Sequence, residues 1–293
     1  MADDITLLAY AKINLSLDIT GVRPDGYHTI STVMQSVDLY DTVTVEKSDS
    51  NNGIDIKLKC NDDSLPLDNR NTAYIAAVEF FKANEIKNAG VKIKIKKNIP
   101  KASGMGGGSA DAAAVIKALN ILYNTNLDDD ALFDIAEKVG MDVPFCINGG
   151  TQLAEGLGTI LTPLPDIEDC AFLLIKDELK PSTAEMYQRI DAQDDIVHPN
   201  TDEIVELICE GEYKKAALII DNSFKSLWGD KFEKICKDLK DNGAINAMLT
   251  GSGPTIFGIF ENSDIARSCK SELEEYYDNI ILCQPKNCSV EEK

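Results

Sequence analysis

The sequence predicts an α+β protein of two domains, and three observations support this prediction. Segments that alternate like strands are interspersed along the chain with segments of helical periodicity. Pro163 and Pro165 suggest a boundary that divides the chain into residues 1–163 and 164–293. The last part of the chain reads strand, turn, strand, helix, strand, an order compatible with a ferredoxin-like domain.

The first predicted strand lies in the segment LLAYAKINLSLDITG. Its apolar residues fall on one face, and its polar residues fall on the other face: Lys12, Asn14, Ser16 and Asp18. The side chains of Lys12 and Asn14 therefore point the same way, ~7 Å apart along the strand. Such a pair can contact an anionic substrate, but spacing alone favours an ordinary solvated sheet face.

A tight turn is predicted next, at Pro24-Asp25-Gly26, because proline presets φ and glycine accepts a positive φ. Tyr27 and His28 follow at the start of a new strand. A histidine beside a turn is usually only a polar turn residue. Residues 72–83 then predict an amphipathic helix.

A glycine-rich loop lies between a predicted strand at residues 91–97 and a predicted helix that begins near Ser109. Backbone N–H groups of such a loop, together with a helix N-terminus, form a phosphate-binding site. No Lys-Ser or Lys-Thr pair follows the glycines, so this is not a Walker A loop. Ser109 also replaces the third glycine of the dinucleotide motif. The alternative is a flexible linker or a wide turn.

Lysines crowd the segment that leads to this loop, although the chain has a net charge of −20. Two interpretations stay open: a solvated strand face, or one or two lysines close to a bound nucleotide. The five lysines are Lys92, Lys94, Lys96, Lys97 and Lys101. The excess of acidic residues argues against a nucleic-acid partner, because phosphate backbones need a basic surface.

Asp142 precedes Val143-Pro144, which predicts the N-cap of a short helix. The eight cysteines include no CxxC pair, so a zinc site is not expected, and scattered thiols indicate a reducing cytosol. No apolar run approaches the ~18 residues of a membrane span. The acidic N-terminus is unlike a signal peptide, so we expect a cytoplasmic protein with no membrane partner.

Three separated segments, taken together, resemble the GHMP small-molecule kinases. They read AKINLSL, PKASGMGGGSADAAA and LTGSGPTIFGIF. Two further segments resemble the branch of this superfamily that serves the non-mevalonate isoprenoid pathway. These read GVRPDGYHTISTVMQSVDLYDTV and GMDVPFCINGGTQLAEGLGTILTPLP.

The resemblance implies an N-terminal domain like ribosomal protein S5 domain 2 and a C-terminal ferredoxin-like domain. It also implies ATP-dependent phosphorylation, with Mg²⁺, of the 2-hydroxyl group of a cytidine diphosphate conjugate of methylerythritol. The enzyme would be a monomer or a weak homodimer. Two alternatives stay open: a GHMP kinase for another alcohol, such as homoserine or mevalonate, and a catalytically silent nucleotide-binding relative.

The resemblance further implies roles for individual residues. Lys12 and Asp142 match the catalytic pair, and Asn14 would help to hold the substrate or the aspartate. Adenine would bind near Asn69 and the Lys96-Lys97 strand end, and Ser109 is the possible ligand of Mg²⁺. The cytosine would be framed by Tyr27, His28 and Tyr187. The ATP phosphates would be wrapped by Pro100, Lys101, Ala102, Ser103, Gly104, Met105, Gly106, Gly107, Gly108, Ser109 and Ala110.

Overall fold

The computed structural model describes residues 3–50, 52–176, 182–193 and 195–293. The first part of the chain forms seven strands and four helices within these residues. The strands are β1 (Asp4–Asn14), β2 (Asp18–Val22), β3 (His28–Ser48), β4 (Ile54–Cys60), β5 (Ala89–Lys96), β6 (Thr151–Gly156) and β7 (Ile160–Pro163). The helices are α1 (Thr72–Ala83), α2 (Gly107–Leu122), α3 (Asp129–Glu137) and α4 (Val143–Asn148).

The second part continues the mixture of strands and helices that the sequence predicts. Its strands are β8 (Ala171–Lys176), β9 (Asn246–Leu249), β10 (Thr255–Phe260), β11 (Ile280–Cys283), β12 (Pro285–Lys286) and β13 (Val290–Glu292). Its helices are α5 (Thr183–Ile190), α6 (Thr201–Cys209), α7 (Tyr213–Ile219), α8 (Asp230–Asp241) and α9 (Ser263–Leu273), with a 3₁₀ turn at Ser223–Leu227. Across the described ranges, no helix combines the length and apolar character needed to cross a membrane.

The strand β3, 21 residues long, organises the larger sheet. The order of this sheet is β13-β1-β3-β5-β4, and β2, β6 and β12 also pair with β3. The pairing is antiparallel except between β4 and β5, which run parallel. Because β1 lies beside this central strand, its end is buried in the middle of the molecule and not at an edge.

The smaller sheet has the order β11-β8-β10-β9 and is antiparallel throughout. Its apolar face includes Phe172 and Phe257, whose rings meet edge to face with centroids 6.3 Å apart. The chain then returns to the larger sheet, where Leu7 of β1 pairs with Glu292 of β13. The domain boundary after residue 163 stays a prediction. The last two strands, β12 and β13, lie beyond that boundary in sequence but pair with strands of the larger sheet.

The helix α2 begins at Gly107, two residues before the predicted start, because Gly106 is its N-cap and has a left-handed backbone with φ of 69°. Its first turns carry a run of alanines at residues 112–114 that are completely buried. Small side chains allow a helix to pack closely against a sheet. The glycine-rich loop therefore leads into a rigidly held helix and is not a flexible linker.

A buried cluster of three charged residues joins β3, the end of β5 and α2. The ammonium of Lys97 contacts Asp41 and lies 2.6 Å from Oδ2 of Asp111. Oδ1 of Asp41 accepts backbone N–H bonds from Asn98 at 2.6 Å and Ile99 at 2.9 Å. Burial alone would lower the pKa of Lys97, but the carboxylates of Asp111 and Asp41 raise it overall. Burial raises the pKa of Asp111; the ammonium of Lys97 lowers it in part, and the nearby carboxylate of Asp41 raises it further.

The five lysines near the loop thus have different environments. Lys92, Lys94 and Lys96 are exposed on β5, as expected for a solvated strand face. The side chain of Lys97 is only 10% exposed. The interpretation as a solvated strand face therefore holds for the three lysines of β5, and a lysine close to a bound nucleotide stays a prediction.

We expect Asp41→Asn to destabilise the fold much more than Asp111→Asn. The first change turns an amide N–H₂ toward Lys97 or removes the acceptor of two backbone N–H groups, which should cost about 3 kcal/mol of unfolding free energy. The second change removes the excess negative charge and leaves a balanced pair. Urea unfolding of both variants measures the difference. The control is Glu46→Gln, because Glu46 lies on the same strand in an exposed ion pair with Lys92. This change should alter the free energy of unfolding little. Equal losses for the two aspartate variants would contradict this account.

Candidate active site

Lys12 and Asn14 lie at the end of β1 and are buried, with 4% and 1% of their surface exposed. The ammonium of Lys12 donates to Oδ1 of Asn14 at 2.7 Å and lies 3.3 Å from Oδ2 of Asp142. The interpretation of this strand face as solvated is therefore wrong. It fails because segments distant in sequence cover the end of the strand.

Two loops provide this cover. The backbone N–H of Lys12 donates to the carbonyl of Met105 in the glycine-rich loop at 3.1 Å. The backbone N–H of Asn14 donates to Oγ1 of Thr250, in the TGSGPT turn between β9 and β10, at 2.9 Å. The AKINLSL segment is therefore hydrogen-bonded to both of the other segments that carried the family resemblance.

Glycine is required where these segments approach one another. A Cβ atom on Gly104, which has φ of 80°, would lie 2.6 Å from the carbonyl oxygen of Thr250. A Cβ atom on Gly106 would lie 3.0 Å from Cγ of Lys12. Both contacts are closer than ordinary van der Waals packing permits. The loop can therefore reach the lysine only because these positions lack side chains.

Asp142 is at the N-cap position of α4, as the sequence predicts, but its side chain makes no capping hydrogen bond. Its carboxylate faces Lys12, and 36% of the side chain is exposed. A carboxylate that is held by an ammonium and is also open to the cleft can accept a proton from a bound hydroxyl group.

These residues line a cleft of about 560 Å³. The predicted residues on its wall are Lys12, Asn14, Pro100, Lys101, Ala102, Ser103, Gly104, Gly106, Gly107, Gly108, Ser109, Asp142 and Tyr187. No side chain caps α2, so the unpaired amides of its first turn are available to an anion at this wall. Met105 and Ala110, also predicted to wrap the phosphates, are completely buried and pack in the core.

Asn69 and Lys96 are not among the residues that line the cleft. Both are exposed, and Arg70, Asn71 and Lys97 line the wall beside them. For Lys96 the reason is the alternation of side chains along β5, which turns this residue outward. The binding of adenine near Asn69 and the Lys96-Lys97 strand end stays a prediction, and of these three residues Lys97 lines the cleft.

His28 and Tyr187 form an aromatic pair that joins the two parts of the chain. Their rings stack with centroids 4.6 Å apart and an interplanar angle of 30°. Nε2 of His28 lies 2.6 Å from Oδ1 of Asp191, and the imidazole side chain is 8% exposed. His28 is therefore more than a polar turn residue. Tyr27 is 57% exposed and does not line the cleft, so the structure does not bring it to Tyr187.

Several residues of the site were missed by sequence reasoning. Asp191 follows a helix with no motif around it, so nothing local pointed to its contact with His28. Thr250 lies inside the quoted TGSGPT segment, and the motif could have indicated it. Thr32 lies in the quoted RPDGYHTIST segment. Its hydroxyl accepts from the Asn14 amide and donates to the backbone carbonyl of Ser16.

Comparison with known proteins agrees with this geometry. The family profile of the GHMP kinases N terminal domain matches residues 71–150, and that of the GHMP kinases C terminal domain matches residues 227–279. The 4-diphosphocytidyl-2-C-methyl-D-erythritol kinase of Clostridium tetani is 42% identical over 94% of this chain and 97% of its own length. The same kinase of Clostridium botulinum (strain Eklund 17B) is 41% identical over 95% of this chain and 99% of its own length.

Solved structures share the fold. A crystal structure of a 4-(cytidine 5'-diphospho)-2C-methyl-D-erythritol kinase superposes with a TM-score of 0.76 at 29% identity, covering 96% of this chain and 99% of its own. A homoserine kinase from Cytophaga hutchinsonii superposes with a TM-score of 0.80 at 20% identity, covering 100% and 98%. The predicted α+β fold of a GHMP kinase is confirmed. The chain belongs to the GHMP kinases and, among them, to the 4-diphosphocytidyl-2-C-methyl-D-erythritol kinases.

Proposed function

We propose that this protein transfers the γ-phosphoryl group of ATP to the 2-hydroxyl group of 4-diphosphocytidyl-2-C-methyl-D-erythritol, in non-mevalonate isoprenoid biosynthesis. The observation that carries the proposal is the buried Lys12, paired with Asp142, directly beneath the glycine-rich loop. The high identity to relatives named for this substrate, over almost the whole chain, supports the choice of alcohol.

The glycine-rich loop and the N-terminus of α2 would hold the triphosphate. Every residue from Pro100 to Ser109 except the buried Met105 lines the cleft, and the α2 helix behind them is 16 residues long. Unpaired amides and the positive end of the helix dipole stabilise phosphate oxygens without a dedicated cation. This matters because the ammonium of Lys97, which lies beside Gly107 of the loop, is already paired with two carboxylates.

Mg²⁺ is compatible with the donors that line the cleft. Among the described residues, no group of three or more His, Cys, Asp or Glu side chains could form a protein cage for a metal. Magnesium in kinases takes most of its ligands from phosphates and water, with only one or two from the protein. Ser109 lines the cleft and would supply a hydroxyl oxygen as a ligand of the ion. Bound there, the ion would neutralise charge on the triphosphate.

Asp142 and Lys12 would act on the acceptor alcohol. The substrate oxygen forms a bond to the γ-phosphorus, the bond from that phosphorus to the β–γ bridging oxygen breaks, and ADP leaves. The hydroxyl proton passes to the carboxylate of Asp142. Lys12 holds that carboxylate in place and faces the negative charge of the transferring group.

The pair His28–Tyr187 would hold the cytosine. Tyr187 lines the cleft and His28 packs against it, so a base would stack on Tyr187, and stacking is tolerant of which base is bound. Because Asp191 accepts from Nε2–H, a neutral His28 presents Nδ1 as an acceptor. An acceptor here suits the N4 amine of cytosine and opposes the O4 carbonyl of uracil.

The proposal is tested by ATP turnover on a panel of alcohols, with products identified by ³¹P NMR. The panel contains the cytidine diphosphate conjugate, its uridine counterpart, homoserine and mevalonate. We expect the cytidine conjugate to be preferred over the uridine conjugate by roughly 10²–10⁴-fold in kcat/KM, since unpaired polar edges are rejected. Turnover of homoserine or mevalonate alone would contradict the proposal, and no turnover of any alcohol would indicate a catalytically silent relative.

Asp142→Asn should lower kcat by roughly 10²–10⁴-fold, because it removes the proton acceptor. The dissociation constant for ATP should remain nearly unchanged, since the carboxylate does not hold the triphosphate. The matched control is Asp128→Asn, at the N-cap of α3, where the side chain does accept the N–H of Ala131 at 3.0 Å. Asparagine caps as well as aspartate, so this control should retain full activity. Full activity of Asp142→Asn would show that Asp142 is not the proton acceptor and serves only as the N-cap residue of α4.

Gly106→Ala should impair ATP use because the new Cβ would press on the side chain of Lys12. Gly211 provides the control: its φ is 76°, close to the 69° of Gly106, but no atom lies within 4 Å of a Cβ built there. Both variants should therefore lose similar stability, about 1–2 kcal/mol, from a left-handed alanine. Only Gly106→Ala should lose kcat/KM for ATP, by roughly 10–100-fold. Thermal melts and steady-state kinetics measure both effects, and a similar kinetic loss in Gly211→Ala would refute the specific contact.

A further inference from the structure

A directional series of hydrogen bonds leads from Lys12 and Asn14, on the cleft wall, to two residues behind the wall. The hydroxyl of Thr32 donates to the backbone carbonyl of Ser16. Nδ2 of Asn14 donates to Oγ1 of Thr32 at 2.9 Å, and Nζ of Lys12 donates to Oδ1 of Asn14 at 2.7 Å. Thr32 and Ser16 are completely buried, and neither lines the cleft.

The backbone carbonyl of Ser16 determines which group donates and which accepts in each of these three hydrogen bonds. A backbone carbonyl can only accept, so the single proton of the Thr32 hydroxyl must point to Ser16. The hydroxyl oxygen can then only accept from Asn14, so the amide must present its N–H₂ group to it. The amide oxygen consequently faces Lys12, whose ammonium has no acceptor capacity. An amide turned the other way would place two donors against each other.

We propose that Thr32 is a positioning residue for phosphoryl transfer: through the Asn14 amide, its hydroxyl sets the place and direction of the Lys12 ammonium. One proton of the ammonium is directed to Asn14, and Asp142 lies 3.3 Å away on another side. A third proton remains for the transferring group. This inference rests on the proposed roles of Lys12 and Asp142, because Thr32 itself touches neither substrate nor nucleotide.

The experiment compares Thr32→Val, which keeps the shape but removes the hydroxyl, with Thr32→Ser, which keeps the hydroxyl but removes a methyl group. In Thr32→Val we expect kcat to fall by roughly 10–100-fold, a typical cost of misplacing a catalytic group. KM for both substrates should change by less than about threefold, since ground-state contacts remain. Thr32→Ser should recover kcat to within about threefold of wild type, although its own packing loss lowers Tm.

Thr151→Val is the control for the loss of a buried hydroxyl. Thr151 is 2% exposed and donates to Oε1 of Gln35 at 2.6 Å, in the same sheet but outside the chain of bonds to Lys12. It should lose stability with no change in kcat. A double variant adds a second control: once Asn14→Ala has removed the amide, Thr32→Val should cause no further loss of kcat.

The inference fails if Thr32→Val keeps wild-type kcat, if the valine and serine variants lose kcat alike, or if the losses in the double variant add. Crystal structures of wild type and both variants give a readout that does not depend on turnover. We expect Nζ of Lys12 to leave Asn14 only in Thr32→Val. If wild type fails to phosphorylate the cytidine conjugate, the proposed function falls, and the position of Nζ alone then decides whether Thr32 positions Lys12.

Discussion

The burial of one ammonium group, that of Lys12, is the constraint on which the rest of the site depends. A buried charge is tolerated only when it is paired and hydrogen-bonded. Asn14 and Asp142 meet this requirement from a strand and from a short helix. Gly106 then allows the glycine-rich loop to pack against the aliphatic part of the Lys12 side chain. Segments more than 100 residues apart are thereby brought to one point, where a proton acceptor and a cation face the same cleft.

A strongly acidic protein must still attract a triphosphate, and the structure indicates how. The charge of Lys97 is used within the fold, since Asp41 and Asp111 occupy it. Under the proposed function, phosphate would be attracted by Lys12 and Lys101 on the cleft wall and by backbone amides of the loop and α2. Such donors are held rigidly and need no reorganisation when negative charge develops. The buried cluster of Lys97 contributes indirectly, because Asp41 anchors the backbone that enters the loop.

The fold alone does not select the alcohol. A homoserine kinase superposes on this chain with a TM-score of 0.80, and a kinase of the cytidine conjugate with 0.76. What distinguishes substrates must lie in local chemistry on a common scaffold. Under the proposed function, that local chemistry is the stacked pair His28–Tyr187 with Asp191 beside it. The pair is assembled from β3 and α5, so the relative position of the two parts of the chain controls it.

The sequence by itself determined the features that local patterns and motifs encode. Periodicity predicted the α1 helix at Thr72–Ala83 and the strand before the glycine-rich loop, and separated motifs predicted the family and its reaction. Only the tertiary structure decided which polar residues are buried. Lys12 and Asn14 seemed solvated, and no spacing indicated that Thr32 would bond to Asn14 and to Ser16. The physical reason is that burial and hydrogen-bond direction depend on which distant segments cover a residue, and spacing along one strand carries no information about them.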